Sequence, residues 1–408
     1  MRLPVSLKSF TRLDPLFDTP MSLSLVLQFL LFALAVFGHA CLLMVMLNVV
    51  YSQPYHKKFL SALRALAGLV IWGGPIAFAY FQGIDVLAMI RNAALPGEYL
   101  LAGYLVLALV MACVLFPIAT IRRRMRRLPV GVHEVTTILD VVKELGNPPW
   151  GDGPKMRMAR RPLNDIFHVD FTTLTITRPD LPAEWDGLTL LQLSDLHFFG
   201  TPSREFFDCV VRRCLSDGVP DLLMITGDIV DDEPYLAWIE PILAPLRWKI
   251  GAFAILGNHD WWQDFDTVRQ NFRNLGIHVV SNSWEQIDVR GRPMTVIGHE
   301  GPWFRPAPDL SKCPAEGFRV LLSHTPDNIR WAKRNGVALM LSGHNHGGQI
   351  RVPFFGSIFV PSKYSRRYDE GTFFESPTFL HVNRGLSGKA PYRLFCRPQV
   401  TRLILKRG

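Results

Sequence analysis

No charged residue lies between Asp18 and Lys57, and most of that interval is the apolar run "MSLSLVLQFLLFALAVFGHACLLMVMLNVV". Few structures accommodate such a stretch. A helix needs about 20 consecutive apolar residues to cross a hydrocarbon core, and this run is too long for the apolar part of a secretory signal. Two further charge-free stretches follow, Ala65 to Ile84 and Tyr99 to Ile121. Residues 1–127 are therefore expected to form a transmembrane region with three spans, at about 22–50, 65–84 and 99–121. The second span carries Gly73, Gly74 and Pro75 at its middle, a pattern that also fits a re-entrant hairpin. Neighbouring helices can satisfy the backbone groups that such residues free, so a crossing is preferred.

The formal net charge of +9 invites a nucleic-acid reading, but five of the basic residues sit together in "RRRMRR", Arg122 to Arg127, directly after the third span. The positive-inside rule and anionic lipid headgroups account for that cluster. Nucleic-acid binding is not expected. With three spans, the inner side collects Lys57, Lys58, Arg64 and the five arginines, against Arg2, Lys8, Arg12 and Arg91 outside. A multi-pass inner-membrane protein with a cytoplasmic carboxyl-terminal domain follows. Of the six cysteines, Cys41 and Cys113 fall within spans, while Cys209 and Cys214 lie in the helix-like "FFDCVVRRCL" and read as buried thiols. Residues 128–164 are expected to be a linker, with "TTILDVVKEL" as a short amphipathic helix and "GNPPWGDGP" as a turn-rich stretch.

From residue 165 to 408 short β-rich runs alternate with helical stretches: "LTLLQLSD", "DLLMITGD", "GAFAILGNHD", "MTVIGHE", "RVLLSHTP" and "VALMLSGHNH". Each apolar run ends in Gly, Ser, Asp, Asn or His, as central strands buried on both faces do when their carboxyl ends carry the chemistry. Those ends supply Asp195 and His197, Asp228, Asn258, His259 and Asp260, His324, and finally His344 and His346 within "SGHNHGGQI". Asp195 and His197 are two apart, so on an extended backbone their side chains share a face. Two carboxylates, an amide oxygen and four imidazoles exceed one four-coordinate ion and suit two adjacent octahedral or trigonal-bipyramidal ions completed by water. A mixed nitrogen and oxygen set without cysteine points to Mn, Fe, Zn, Co or Mg.

The ordered series D-x-H, G-D, G-N-H-D, H and G-H-x-H, with the first three elements 33 and 30 residues apart, resembles the calcineurin-like metallophosphoesterases. "GHNHGGQIRVPFFG" and "VNRGLSGKAPYRLFCRPQV" add a likeness to the bacterial membrane-associated branch, which includes phosphodiesterases and UDP-2,3-diacylglucosamine pyrophosphatases. The resemblance implies an α/β fold in which the three transmembrane helices precede a four-layer α/β/β/α sandwich over residues 165–408. It also implies a ligand set. Asp195, His197 and His346 would hold one ion, Asn258, His324 and His344 the other, and Asp228 would bridge them. Gly343 and Gly347 would free the backbone between the two ligating histidines.

The reaction so implied is hydrolysis of a phosphodiester or pyrophosphate bond by a hydroxide that bridges two divalent ions. His259 would bind a phosphoryl oxygen or protonate the leaving group, oriented by Asp260. Arg384 could neutralise a phosphate or make a structural salt bridge, and Trp261 and Trp262 could wall the cleft or pack in the core. His133, His168, His278, His299 and His381 match no ligand position. Tethering suggests a phosphate ester carried at the membrane surface, a lipid-linked nucleotide sugar above all. The sequence names no protein partner. Two other readings, a non-catalytic metal-binding scaffold and a membrane sensor with the phosphoesterase as its output, are weaker, because every ligand is kept and the spans hold little ionisable chemistry beyond His39 and Asp85.

Overall fold

A computed structural model of the protein describes residues 23–314 and 317–408. Arg2, Lys8 and Arg12, used above to orient the spans, lie outside the described residues. By internal packing the described residues form two units, one of residues 23–42 and 69–116, the other of residues 43–68, 117–314 and 317–408.

The helices α1 (Leu23–Tyr51) and α2 (Lys57–Gln82) precede the short α3 (Val86–Arg91), α4 (Pro96–Val110) and α5 (Phe116–Arg124), the last two joined through a π-helical turn, Met111–Leu115. Three segments, Leu25–Tyr51, Lys57–Gln82 and Pro96–Arg124, are long and apolar enough to cross a membrane. Pro75 lies inside α2 without ending it. In the first unit Ala35, Val86 and Leu105 form a small core with Phe32 and Phe78 packed against it. Gly38 lies so close to the Ala108 backbone that a side chain would overlap it, the close approach that small residues give helices in an apolar medium.

The second unit is built on β-strands: β1 (Val132–Asp140), β2 (His168–Arg178), β3 (Leu188–Leu193), β4 (Leu222–Thr226), β5 (Gly251–Ile255), β6 (His278–Val279), β7 (Trp284–Val289), β8 (Arg292–His299), β9 (Phe318–Ser323), β10 (Leu339–Ser342), β11 (Arg351–Val352), β12 (Gly356–Ser357), β13 (Gly371–Glu375), β14 (Thr378–Val382) and β15 (Gln399–Arg407). One sheet has the order β1-β2-β15-β3-β4-β5-β6 and the other β13-β14-β10-β9-β8-β7. Leu190, Leu222, Met224, Phe253 and Ile255 of the first meet Val296, Val320, Leu322, Leu339 and Leu341 of the second in one buried layer. The outer face of the first sheet packs on Phe206, Phe207, Val210 and Val211 of the helix Arg204–Ser216, and that of the second on Ile329 and Ala332. The result is the four-layer sandwich expected.

One stretch departs from expectation. Residues 132–140, read above as linker with part of a helix, form an edge strand paired antiparallel with β2 from Val132↔Ile176 to Asp140↔His168. The β-branched residues Val132, Val135, Thr136, Thr137 and Ile138 suit a pleated strand, and helix begins only at Val141–Leu145. The 3.6-residue spacing of that stretch lost to the open edge of β2.

Candidate metal centre

β3, β4 and β5 run parallel, as do β8, β9, β10 and β14 of the facing sheet. The loops after β3, β4, β5, β9 and β10 carry all seven expected ligands to one place. Their backbone is unusual. Asp195 (φ 52°), His197 (φ 46°), Asp228 (φ 57°), His344 (φ 68°) and His346 (φ 48°) all occupy the left-handed region, which L-residues with side chains adopt only at a cost. Asp195 and His197 thus reach the same site from left-handed positions just past the strand and not, as their spacing suggested, from extended strand.

Gly347 has φ 61°, as its expected role requires. Gly343 differs: a Cβ there would collide with Ser194 Oγ and Asp195 Oδ2, so the residue is small to let the loop close on Asp195. The backbone N–H of His344 then donates to Asp195 Oδ1 at 3.1 Å.

The described residues hold three groups of potential ligands, one of them His197, Asp231 and His259 and the other two made of expected ligands. Asp195, His197, Asp228 and His346 bring ligand atoms within 4.8 Å of one another, and Asp228, His324 and His344 do the same. These last two share Asp228. Asn258 joins the second, its Oδ1 at 3.1 Å from His324 Nε2.

The decisive feature is where the ring protons go. Each ring shows one nitrogen to an oxygen outside the cluster that can only accept, so that nitrogen carries the proton. His197 Nδ1 donates to Asp231 Oδ1 (3.1 Å), His324 Nδ1 to the Thr226 carbonyl (2.8 Å) and His344 Nε2 to the Pro361 carbonyl (2.9 Å). His346 Nδ1 donates to the Ser387 carbonyl (3.1 Å). Arg393 Nη2 lies 3.3 Å from the same nitrogen but makes its shorter bond to that carbonyl. In the neutral ring the inward nitrogen is then a lone pair, the form a metal ligand takes. His197 Nε2 faces His346 Nε2 at 3.3 Å, and His344 Nδ1 faces His324 Nε2 at 3.2 Å.

Asp228 Oδ1 accepts the backbone N–H of His259 at 2.8 Å, whereas its buried Oδ2 has no hydrogen-bond partner. That oxygen stands 3.6 Å from His197 Nε2 and 3.2 Å from His324 Nε2, between the two groups. Carboxylates and imidazoles brought together in a buried site call for cations among them. The residues present fit divalent metal ions.

Burial works against their charged forms, yet neighbouring carboxylates draw His324 up to about 9 and His197 well above the usual imidazole range, so the cluster favours positive charge where divalent ions would supply it. Burial, reinforced by neighbouring imidazoles, pushes His344 and His346 down to about 3 and keeps them neutral. Against burial, the surrounding histidines hold Asp195 and Asp228 below the usual carboxylate range.

His259 is less enclosed than most of the set, its side chain 18% exposed. Its orienting partner is not the expected Asp260. Asp260 is fully buried and accepts the backbone N–H groups of Asp228, Ile229, Val230 and Gly257, which fixes the loop after β4 and leaves nothing for the imidazole. Burial and the Asp228 charge push its carboxyl up to about 6. His259 Nδ1 instead contacts Asp231 Oδ1, the oxygen that also holds His197. Sequence reading passed over Asp231; its signal was the acidic run "GDIVDD", three residues beyond Asp228. The buried Arg393, which ties the Ser387, Gly385 and Arg384 carbonyls beneath His346, had none.

Of the two readings of Arg384, the salt bridge is the one made, to Asp170 (2.6 Å) and Glu370 (3.0 Å). Trp262 stands edge-on to His259 with ring centroids 5.0 Å apart. His299 and His381, both buried, lie in hydrogen-bonded settings away from the ligand groups.

A family model for calcineurin-like phosphoesterases matches residues 188–348. Over 247 residues the chain is 31% identical to the metallophosphoesterase YkuE of Bacillus subtilis, a match that spans 58% of this chain and 86% of that protein. The chain belongs to the calcineurin-like metallophosphoesterases. Among other metallophosphoesterases it is 30% identical over 224 residues to the phosphodiesterase YaeI of Escherichia coli, covering 53% of this chain and 81% of the relative. A Danio rerio transmembrane protein with metallophosphoesterase domain is 26% identical over 259 residues, covering 56% and 55% of the two chains. The loop cluster described above falls within residues 188–348, which match a family of phosphoesterases that use divalent metals.

Proposed function

We propose that the protein is a membrane-anchored phosphoester hydrolase with two divalent ions that cleaves a phosphodiester or pyrophosphate bond in a substrate at the membrane surface, a lipid-linked nucleotide sugar being the substrate class favoured. The observation that carries the hydrolytic reading is the convergence of imidazole nitrogens and carboxylate oxygens on both sides of the unpartnered Asp228 Oδ2. Asp195, His197 and His346 would hold one ion and Asn258, His324 and His344 the other, with Asp228 shared between them. When bound, the ions supply a water of lowered pKa and neutralise phosphoryl oxygens. Asp231 fixes the tautomer of His197 and aims His259 at the same time. His259, with Nδ1 committed to Asp231, is left with Nε2 to bind a phosphoryl oxygen or to protonate the departing one.

The lipid-linked substrate rests on tethering. A soluble ester gives no reason to attach a complete hydrolase to three apolar helices. Activity on acylated UDP-glucosamine is expected to exceed that on its deacylated analogue by at least about tenfold, equivalent to roughly 1.4 kcal/mol of transition-state binding. Equal rates on the two would leave a general membrane-bound phosphodiesterase.

Sidedness follows from "RRRMRR" after the third apolar helix. A reporter fused after Gly408 is expected to read a cytoplasmic carboxyl terminus. An external reading would reverse the topology.

A further inference from the structure

The end of the third apolar segment and the β11–β12 hairpin enclose a cleft of about 200 Å³. Thr120, Arg123 and Arg124 come to it from α5, Arg351 and Phe354 from the hairpin, and Phe395 from the segment between β14 and β15. Three arginines line it, with no acidic residue and none of the expected metal ligands. Two of the three are already committed. Arg123 pairs with Asp369 (2.7 Å) and Glu370 (3.7 Å), and Arg351 pairs with Glu370 and donates through Nε to the Gly347 carbonyl (2.9 Å). Arg124 is exposed, has no ion pair among the described residues, and lies 5.3 Å from the centroid of the Phe354 ring. Arg122 and Arg127 of the same basic run are exposed as well but do not line the cleft.

The aromatic side chains are held outward against preference. Phe354 (φ 69°) is 77% exposed and Phe395 (φ 52°) is 56% exposed, so two large apolar rings face outward from left-handed backbone, with neither burial nor an easy conformation to account for them. The hairpin is nevertheless fixed against the helix end. A Cβ on Gly356 would lie 2.7 Å from Arg123 Nη1, Arg366 donates to Thr120 Oγ1 at 3.4 Å and to the Phe355 carbonyl, and Ser357 Oγ donates to Asp369 Oδ2 at 2.5 Å, the oxygen that also holds Arg123. Arg124 is the last residue of the segment Pro96–Arg124, long and apolar enough to cross a membrane. The end of such a helix lies at headgroup level, where phosphates carry negative charge and the acyl chains begin. Arginine beside outward phenylalanine matches that boundary.

We propose that the cleft binds the phosphate of one anionic phospholipid headgroup at Arg124, with Phe354 and Phe395 set into the acyl boundary beside it. Unlike a general attraction of the basic run for anionic lipids, such a site singles out one arginine of that run and one lipid per chain. It rests on the membrane-anchored part of the reading above and on no step of hydrolysis. At about 200 Å³ the cleft is smaller than the roughly 300 Å³ at which sites for drug-sized ligands begin, so it has room for a headgroup and not for an acyl chain.

The test is native mass spectrometry of the full chain in detergent micelles, titrated with phosphatidylglycerol, with phosphatidylcholine and with inorganic phosphate. The wild type is expected to bind one phosphatidylglycerol at least about tenfold more tightly than phosphatidylcholine or inorganic phosphate, a 1.4 kcal/mol preference. Arg124→Ala with Phe354→Ala is expected to reduce the preference between the lipids to about threefold or less. Arg122→Ala with Arg127→Ala takes more charge from the same run but none from the cleft, and is expected to keep it. Equal affinity for the two lipids overturns the site, and so does a larger loss in the Arg122 and Arg127 variant, which would make the attraction diffuse. Inorganic phosphate bound as tightly as phosphatidylglycerol would make the occupant a free anion and overturn the lipid. A chain that carbonate strips from vesicles would contradict the membrane-anchored reading and the site with it, whereas a chain that stays but shows no lipid preference loses the site alone.

Discussion

Asp228→Asn is expected to reduce turnover at least about 10³-fold, the scale on which stabilisation of transition-state charge operates, and to loosen both ions. The substitution keeps the shape of the side chain and its Oδ1 acceptor for the His259 N–H. It removes the charge from Oδ2, the atom that lies unpaired between the two ligand groups. An amide would turn either its NH₂ or a weaker, neutral oxygen toward the ions, and two cations would then repel one another across a site that no longer shares an anion. Metal content and kcat should fall together. Full occupancy with full activity would remove Asp228 from the bridging position.

His259→Ala is expected to keep both ions and lower kcat by about 10²-fold, the contribution typical of a positioned proton donor. Asp231→Ala should look different, although the two side chains touch. Asp231 holds His197 as well as His259, so its loss frees a ligand ring to turn and is expected to weaken metal affinity by about 10- to 100-fold in addition to slowing the reaction. Metal retention thus separates the two variants. Equal metal loss in both would make His259 a ligand, an arrangement for which the grouping of His197, Asp231 and His259 leaves room.

What the sequence made legible was the part governed by local rules. Apolar runs bounded by Gly, Asp and His located the central strands, because a strand buried on both faces leaves polar chemistry only at its ends. The ligand types and their order were visible for the same reason. Contacts across the fold were not. Asp260 and Asp231 both lie beside motif residues, and nothing local says which of them meets His259. The loop after β4 decides it, since its buried N–H groups take Asp260 and leave Asp231 for the imidazoles. Gly343 was read as a source of backbone freedom, whereas the structure needs it for lack of bulk, a requirement set by Asp195, far away in sequence. The edge strand β1 was hidden in a helix-like pattern because a partner strand supplies its hydrogen bonds.

The central claim is that seven side chains hold two ions that share Asp228. Metal stoichiometry of the full chain in detergent, loaded with Mn²⁺ and freed of excess by desalting before elemental mass spectrometry, tests it most directly. The account predicts two ions per chain; one ion per chain, or none, would contradict it.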